Sequence, residues 1–521
     1  MLGQGGRRWV QGVERGRAQH SGDVAVAGLP AGGGGRAWPG HEQKHTMKGM
    51  VRSLLFLLLV LLAGCAQPGR LAEPGAACQL ELDALFDTPE LAHATVAALF
   101  RRSHDRQVLY ERGAGQMLTP ASVLKLVTVA VAAEQLGWDA HFETRLYATG
   151  PVRDGVLHGD LVVVGGGDPT LGEPGGIGLP GQGGYAFARW AALLERLGVR
   201  EVRGAVRVEQ AAGLPGWGRG WMWDDWVYPF SAPLAAANFA ENRVALHILP
   251  GTPPRVEGPL AAALPVVAGT VVQRDGAPGR VRLAYRPGGV LEITGEAPAE
   301  GVRRQVALLD PAPLLAAALH GWLEAQGIRI RGGYGTADAR CAEPARGCEP
   351  LDRHHSATLA ILSSRLLGVS QNLYAEALYQ RLGGESVLLA QLAAWGIETR
   401  HLRLADGSGL SRYSQLSATA LVDLLDHLQH TPHRFAPMAC AMPSGGQPGT
   451  TLAHRFRTGD AVGRVRAKSG SMTGVRALAG VVQSPNGPVS FAVLVNHHAL
   501  PPAQVDALID RAVERVSRGC R

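Results

Sequence analysis

Apolar positions along the chain follow distinct spacings. Leu54 to Leu62 is one continuous apolar run, too short to span a bilayer comfortably. Leu82, Leu85 and Leu91 recur at helical spacing and predict a helix within 80–100. Gln107 to Tyr110 reads as a strand. Thr119-Pro120 predicts a helix start, with Thr119 as N-cap and Pro120 in the first turn, running to about Gly137. Between 141 and 350, β-branched runs recur at 161–164, 202–208, 244–249, 266–272, 281–285 and 290–293. Turn signals separate them, and helical stretches near 185–198 and 311–326 interrupt, so this block reads as mainly β. Helical spacing returns at 356–368, 372–383, 386–395 and 417–430. The end reads as a strand (465–468), a hairpin (479–483 and 489–496 about Pro485-Asn486-Gly487) and a last helix carrying Val505, Leu508, Ala512 and Val516. This predicts a split α/β domain formed by 66–140 and 350–521, with a β-rich insert at 141–349 that holds two nested subdomains. No repeat of solenoid period is present.

Composition narrows the class. Of 521 residues 46% are apolar and 18% charged, a globular balance, and 69 glycines with 33 prolines imply many loops. The net charge of +7 sits mostly at the front: residues 1–46 carry +3, residues 47–64 carry +2, and all the rest only +2. A nucleic-acid binder keeps its basic excess in the folded part, so no nucleic-acid partner is expected. Lysine is rare. The chain has 47 Arg and four Lys, and after residue 48 only Lys125 and Lys468 remain. A guanidinium stays protonated, whereas a desolvated ammonium can lose its proton and act as a base. Lysines that persist against such a background are candidates for chemistry.

Residues 1–46, rich in Gly and Arg, lack apolar periodicity and read as an upstream extension ahead of the true start at Met47 or Met50. Residues 47–64 then form a basic start, an apolar core and a small-residue site, the pattern of an export signal. Leu62-Ala63-Gly64-Cys65 is similar to the bacterial lipobox, which implies a lipid on Cys65, export to the periplasm and a membrane contact made only through that lipid. Export permits disulfides. Cys341 and Cys348 can close a small loop, and Cys78 and Cys520 can staple the ends and leave Cys440 free; connectivity stays open at this level. No CxxC pair or His/Cys cluster has zinc spacing, so no metal or cofactor is expected, and His427, His430 and His433 read as a helix end interrupted by Pro432.

Three short motifs carry the chemistry. Ser122 and Lys125 stand at i and i+3 at the start of a predicted helix, where hydroxyl and ammonium share a face. A buried Lys there has its pKa depressed and can take the serine proton. Ser370-Gln371-Asn372 lies between two helices, where a loop presents a hydroxyl and an amide. Lys468-Ser469-Gly470-Ser471 lies on a predicted strand, where Lys468 and Ser469 can hold a carboxylate and Gly470 permits close approach of a substrate backbone.

In this order, SxxK, SxN and KSG, the chain resembles the penicilloyl-serine transferases, and within them the low-molecular-mass class C penicillin-binding proteins, the D-Ala-D-Ala carboxypeptidase/endopeptidase family. The 248-residue gap between Ser122 and Ser370 matches that family, as do Gly166 to Leu171, Asp406 to Arg412 and the tail Ala477–Asn496. The resemblance implies a transpeptidase-like α/β fold, peptidoglycan stem peptides as substrates and β-lactams as acylating ligands. It implies Ser122 as nucleophile, Lys125 as its base and Ser370 as proton relay. Asn372 would bind the substrate amide and Lys468 with Ser469 its carboxylate, while the backbone N–H groups of Ser122 and Ser471 would form the oxyanion hole. Asp225, within Trp223 to Pro233, would receive the free amine of the stem's diamino acid, with Arg412 as a further contact. Departures are Ser469 for Thr, Gln447-Pro448-Gly449-Thr450 for a more acidic turn, and Thr473 for a longer polar side chain. Two rival readings are a β-lactamase or esterase, which needs a dedicated deacylation base, and a catalytically silent wall-binding lipoprotein, which would be free to lose both lysines.

Overall fold

The computed structural model describes residues 76–172, 185–209, 216–256, 266–274, 279–337 and 349–520. The leader, Cys65, Cys341 and Cys348 lie outside the described residues. A helix, α1 (Ala76–Phe86), opens them. Strands β1 (Thr95–Arg102) and β2 (Val108–Arg112) follow, and near the end come β3 (Val465–Met472), β4 (Val475–Ser484) and β5 (Gly487–Asn496). These five make one antiparallel sheet in the order β3-β4-β5-β1-β2, so the two ends of the described chain share a sheet.

The strands read as unbroken apolar runs because the sheet is covered on both faces. On β1, Val96, Ala98 and Phe100 face one core while Ala97 and Leu99 face the other, as period-2 alternation dictates. The first core is sealed by α1 and by the last helix, α8 (Pro502–Ser517), through Leu82, Phe86, Val505, Ile509, Ala512, Val513 and Val516. Each such side chain contributes at most ~1.5–3 kcal/mol on burial. Cys78 and Cys520 join α1 to the end of α8 in a disulfide, and Cys440 is free and exposed. The second core packs α2 (Lys125–Leu136), α3 (Leu359–Gly368), α4 (Asn372–Leu382), α5 (Glu385–Ala394), α6 (Ala418–Gln429) and α7 (Pro432–Ala441) against the sheet.

Residues 143–355 form the remaining sheets around a separate core that includes Trp190, Leu246, Ile293 and Leu319. One has strands 334–337, 206–209, 161–164, 143–148 and 352–355 in that order. Its first and last strands in sequence, 143–148 and 352–355, pair antiparallel, so the chain enters and leaves this region side by side. From it, residues 216–242 run as a loop with short 3-10 turns at 223–225, 229–231 and 240–242.

Four local expectations change. The helix expected within 80–100 ends at Phe86, and Thr95 to Phe100 is strand, because after Pro89 the side chains alternate into two cores rather than one. Thr119 makes no cap; Pro120 precedes a 3-10 turn, Ala121–Leu124, and the α-helix begins only at Lys125. The run 202–208 is two strands in two different sheets, broken at Gly204, whose Cβ would lie 2.2 Å from Asp160 Oδ1. Pro432 starts α7 rather than only ending a helical face, as proline tolerates a helix's first turn.

Candidate active site

The cleft lies where the Ala121–Leu124 turn, β3, the α3–α4 turn and the 216–242 loop meet. Its cavity of about 420 Å³ is lined by Ser122, Asp225, Phe230, Ser370, Asn372, Arg412, Ser469 and Ser471 among others. Seven of the candidate site residues read from the sequence therefore line one cavity, although they come from five distant stretches.

The 3-10 turn brings Ser122 and Lys125 together, since i and i+3 eclipse in that helix type. Lys125 is fully buried, and its Nζ donates to Ser122 Oγ (2.8 Å), Asn372 Oδ1 (2.6 Å) and Ser408 O (2.7 Å). Burial pushes the Lys125 ammonium down to about 7, against the opposing pull of Asp406 and Glu376. An amine of that pKa is available as a base near neutrality.

Close packing fixes this turn. Gly409 has φ +77°, and a Cβ there would stand 2.0 Å from Ala121 O. Gly470 plays a similar part: its missing side chain faces Pro120 O (2.9 Å) and Ala121 Cβ (3.1 Å). The room left by Gly470 is thus taken by Pro120 and Ala121, not by a substrate backbone as expected.

Ser370 sits where α3 ends. Gln371 N–H donates to Leu366 O (3.1 Å), the 6→1 bond of a Schellman turn, and Ser370 occupies the left-handed position, φ 62°, that glycine usually takes. Asn372 opens α4, and its Nδ2 donates to Phe230 O (2.6 Å) in the long loop. Further anchors of that loop are Trp221 Nε1 to Asp406 Oδ2 (3.0 Å), Ser411 Oγ to Arg219 O (2.6 Å) and Arg412 N–H to Gly220 O (3.2 Å). They carry Asp225 to the cleft. Burial, then Asp224, raises the Asp225 pKa, and Arg412 opposes them. Arg412 Nη1 donates to Thr473 O (3.1 Å), so Asp225, Arg412 and Thr473 form one end of the site.

Lys468 does not line the cavity. It is fully buried behind Ser469, with Nζ donating to Ser469 O (2.6 Å), and burial followed by the nearby Lys125 lowers its pKa. Ser469 and Ser471 present the wall, and Ser471 Oγ accepts from Arg476 Nη1 (2.6 Å). At the turn expected to depart from an acidic pattern, Gln447 Oε1 accepts from Ser444 N–H (3.0 Å), and it is Thr451 that reaches the cleft.

Sequence reasoning missed the polar layer under Lys125. Glu376 accepts from Gly407 N–H (3.1 Å) and Ser408 N–H (2.8 Å), and burial, then Asp406, holds its carboxyl well above the usual carboxylate range. Asp406 accepts from Ser408 Oγ, Gly409 N–H, Ser411 N–H and Ser414 Oγ as well as Trp221. The available signal was Glu376 at i+4 from Asn372, an acid on the buried face of an apolar helix.

A family model described as the D-Ala-D-Ala carboxypeptidase 3 (S13) family matches residues 78–516. The D-alanyl-D-alanine carboxypeptidase of Actinomadura sp. (strain R39) is 30% identical over 477 residues, covering 83% of this chain and 84% of that protein. The D-alanyl-D-alanine carboxypeptidase DacB of Haemophilus influenzae is 24% identical over 446 residues, 78% of this chain and 86% of that one. Among solved structures, penicillin binding protein 4 (dacB) from Haemophilus influenzae superposes with a TM-score of 0.72 at 21% identity, over 84% of this chain and 99% of that one. A structure of that protein complexed with a β-lactam gives 0.66.

Proposed function

The chain belongs to the D-Ala-D-Ala carboxypeptidase 3 (S13) family, and from that premise and the cleft's geometry we infer how its residues act. The protein is a serine-type D-Ala-D-Ala carboxypeptidase acting on peptidoglycan stem peptides and acylated by β-lactams. Neutral Lys125 takes the Ser122 proton as Ser122 Oγ attacks the carbonyl carbon before the terminal D-Ala. The N–H groups of Ser122 and Ser471 receive the developing oxyanion. Ser370 passes a proton to the departing amine, and water then frees the acyl-enzyme. In endopeptidase mode the leaving amine belongs to a crosslinked neighbouring stem. Asn372 holds the substrate amide, Ser469 with Lys468 behind it holds the terminal carboxylate, and Asp225 with Arg412 receives the diamino acid's free end.

One observation carries this reading: a fully buried ammonium, pushed down to about 7, lies 2.8 Å from the hydroxyl of a serine that opens onto a cleft. We further propose a catalytic domain of 66–140 and 350–521 about an insert at 141–349, with the second junction moved past 355 because strand 352–355 pairs with 143–148, export directed by residues 47–64, and a lipid on Cys65 that holds the protein in the periplasm. The test follows D-Ala release from a pentapeptide and cleavage of a crosslinked muropeptide dimer. Release in at least one assay, abolished in Ser122→Ala, is expected. Turnover of neither substrate would overturn the reading and favour a silent wall-binding protein.

A further inference from the structure

The β-rich region meets the catalytic machinery at a second place, away from Asp225. Ala240, Glu241 and Asn242 have φ of 52°, 54° and 51°. Three successive non-glycine residues in the left-handed region carry a steric cost and persist only where neighbouring contacts over-determine them. Here they are over-determined. Phe239 N–H donates to Asn242 Oδ1 (2.9 Å), Asn242 Nδ2 donates to Pro233 O (2.8 Å), and Leu308 N–H donates to Asn242 O (2.7 Å).

The strained turn delivers the Glu241 side chain, only 1% exposed, to the last turn of α3. Its Oε1 accepts from Arg365 Nε (2.9 Å) and Nη2 (2.8 Å), and its Oε2 lies 2.6 Å from Arg243 Nη2. The neighbouring Gln371 side chain adds a smaller pull that lowers the same carboxyl's pKa. Burial pushes this carboxyl up, but Arg243 and Arg365 outweigh it and hold the group below the usual carboxylate value, as an ion pair requires.

The partners sit on either side of Ser370. Arg365 lies five residues before it, and its carbonyl accepts from Val369 N–H (3.0 Å). Gln371 follows it directly and caps α4 by accepting from Leu373 N–H (3.2 Å). Ser370 is itself left-handed. Two strained turns, one in each part of the chain, are thus joined through a single buried carboxylate. We propose that Glu241 is a positioning residue for the reaction: through Arg365 it grips the α3 flank of the α3–α4 turn, five residues before Ser370, and so sets the Ser370 hydroxyl toward the scissile bond. The β-rich insert then completes the catalytic site as well as contributing to its specificity. Glu241 lines no part of the cleft, so its effect falls on the chemical step and not on binding.

This inference rests on Ser370 being the relay. The experiment measures second-order acylation by a fluorescent penicillin, and kcat and KM on a pentapeptide, for wild type, Ser370→Ala, Glu241→Gln and the double variant, with thermal melting of each as a check of folding. Folded Glu241→Gln should acylate roughly 10- to 100-fold more slowly, with kcat reduced and KM little changed. Added to Ser370→Ala, it should cost little more, because both act through one hydroxyl. Wild-type rates in folded Glu241→Gln, or penalties that multiply in the double variant, would overturn the inference while leaving the proposed function standing. An unlabelled wild type, or a Ser370→Ala variant as fast as wild type, would overturn both this inference and the relay role. Arg365→Gln, which leaves the insert's core intact, is held to the same outcomes should Glu241→Gln fail to fold.

Discussion

Gly409→Ala separates a positioned nucleophile from a merely exposed one. The added Cβ would stand 2.0 Å from the Ala121 carbonyl oxygen and 2.6 Å from its carbon, whereas ordinary contact begins at 3.4 Å. Relieving the overlap takes roughly 1.4 Å, and the atom to be moved belongs to the peptide that leads into Ser122. Displacement of about 1 Å at a reacting centre costs on the order of 100-fold. Gly409 also has φ +77°, so alanine adds a strain of ~1–3 kcal/mol to the fold. Gly396 supplies the control, since it has the same φ of +77° with nothing within 4 Å of its Cβ position. Both variants should melt at lower temperature, but only Gly409→Ala should lose acylation, by about two orders of magnitude in stopped-flow measurement with a fluorescent penicillin. A folded Gly409→Ala that acylates at the wild-type rate would mean that the 406–409 loop does not fix the serine.

Two other outcomes follow from the electrostatics. Acylation should rise with pH through about 7 and level off above it, because burial pushes Lys125 to about 7 and only the neutral amine is a base; a flat profile from about pH 5 to 9 would contradict this. The same group binds fewer protons in the native state than in the unfolded chain between about 7 and its ordinary 10.5. Its stabilising contribution therefore grows as pH climbs through that window and is absent below it, which urea titrations at several pH values can follow. Asp225→Asn should lower kcat/KM at least about tenfold on a stem peptide with a free side-chain amine, the loss of one hydrogen bond to a charged group. It should leave penicillin acylation within about twofold, and N-acetylation of the substrate amine should erase the difference between the two enzymes.

Most of the architecture was legible because its signals are local. The last helix announced itself through Val505, Leu508, Ala512 and Val516, all of which are buried. The terminal hairpin followed from its turn. Where local spacing misled, a non-local partner decided: 95–100 is strand because β5 lies beside it, and 202–208 splits because two different sheets claim its halves. The site shows the same division. The rarity of lysine marked Lys125 and Lys468, and the three short motifs supplied the cleft wall. That Lys468 stands behind the wall, that Gly470 makes room for Pro120, and that Glu376 and Asp406 underlie Lys125 are facts of packing between distant segments. No spacing along the chain encodes them. Glu241 is the extreme case, an acid in a mostly β stretch whose partner lies 124 residues away.

In the proposed reaction Ser122 is the acylated residue because Lys125 activates it. Intact-mass and peptide-mapping spectrometry of protein incubated with benzylpenicillin tests this directly. One penicilloyl adduct is expected on the peptide containing Ser122, absent from Ser122→Ala and from Lys125→Met. An adduct on any other peptide, or undiminished labelling of the Lys125→Met protein, would contradict it.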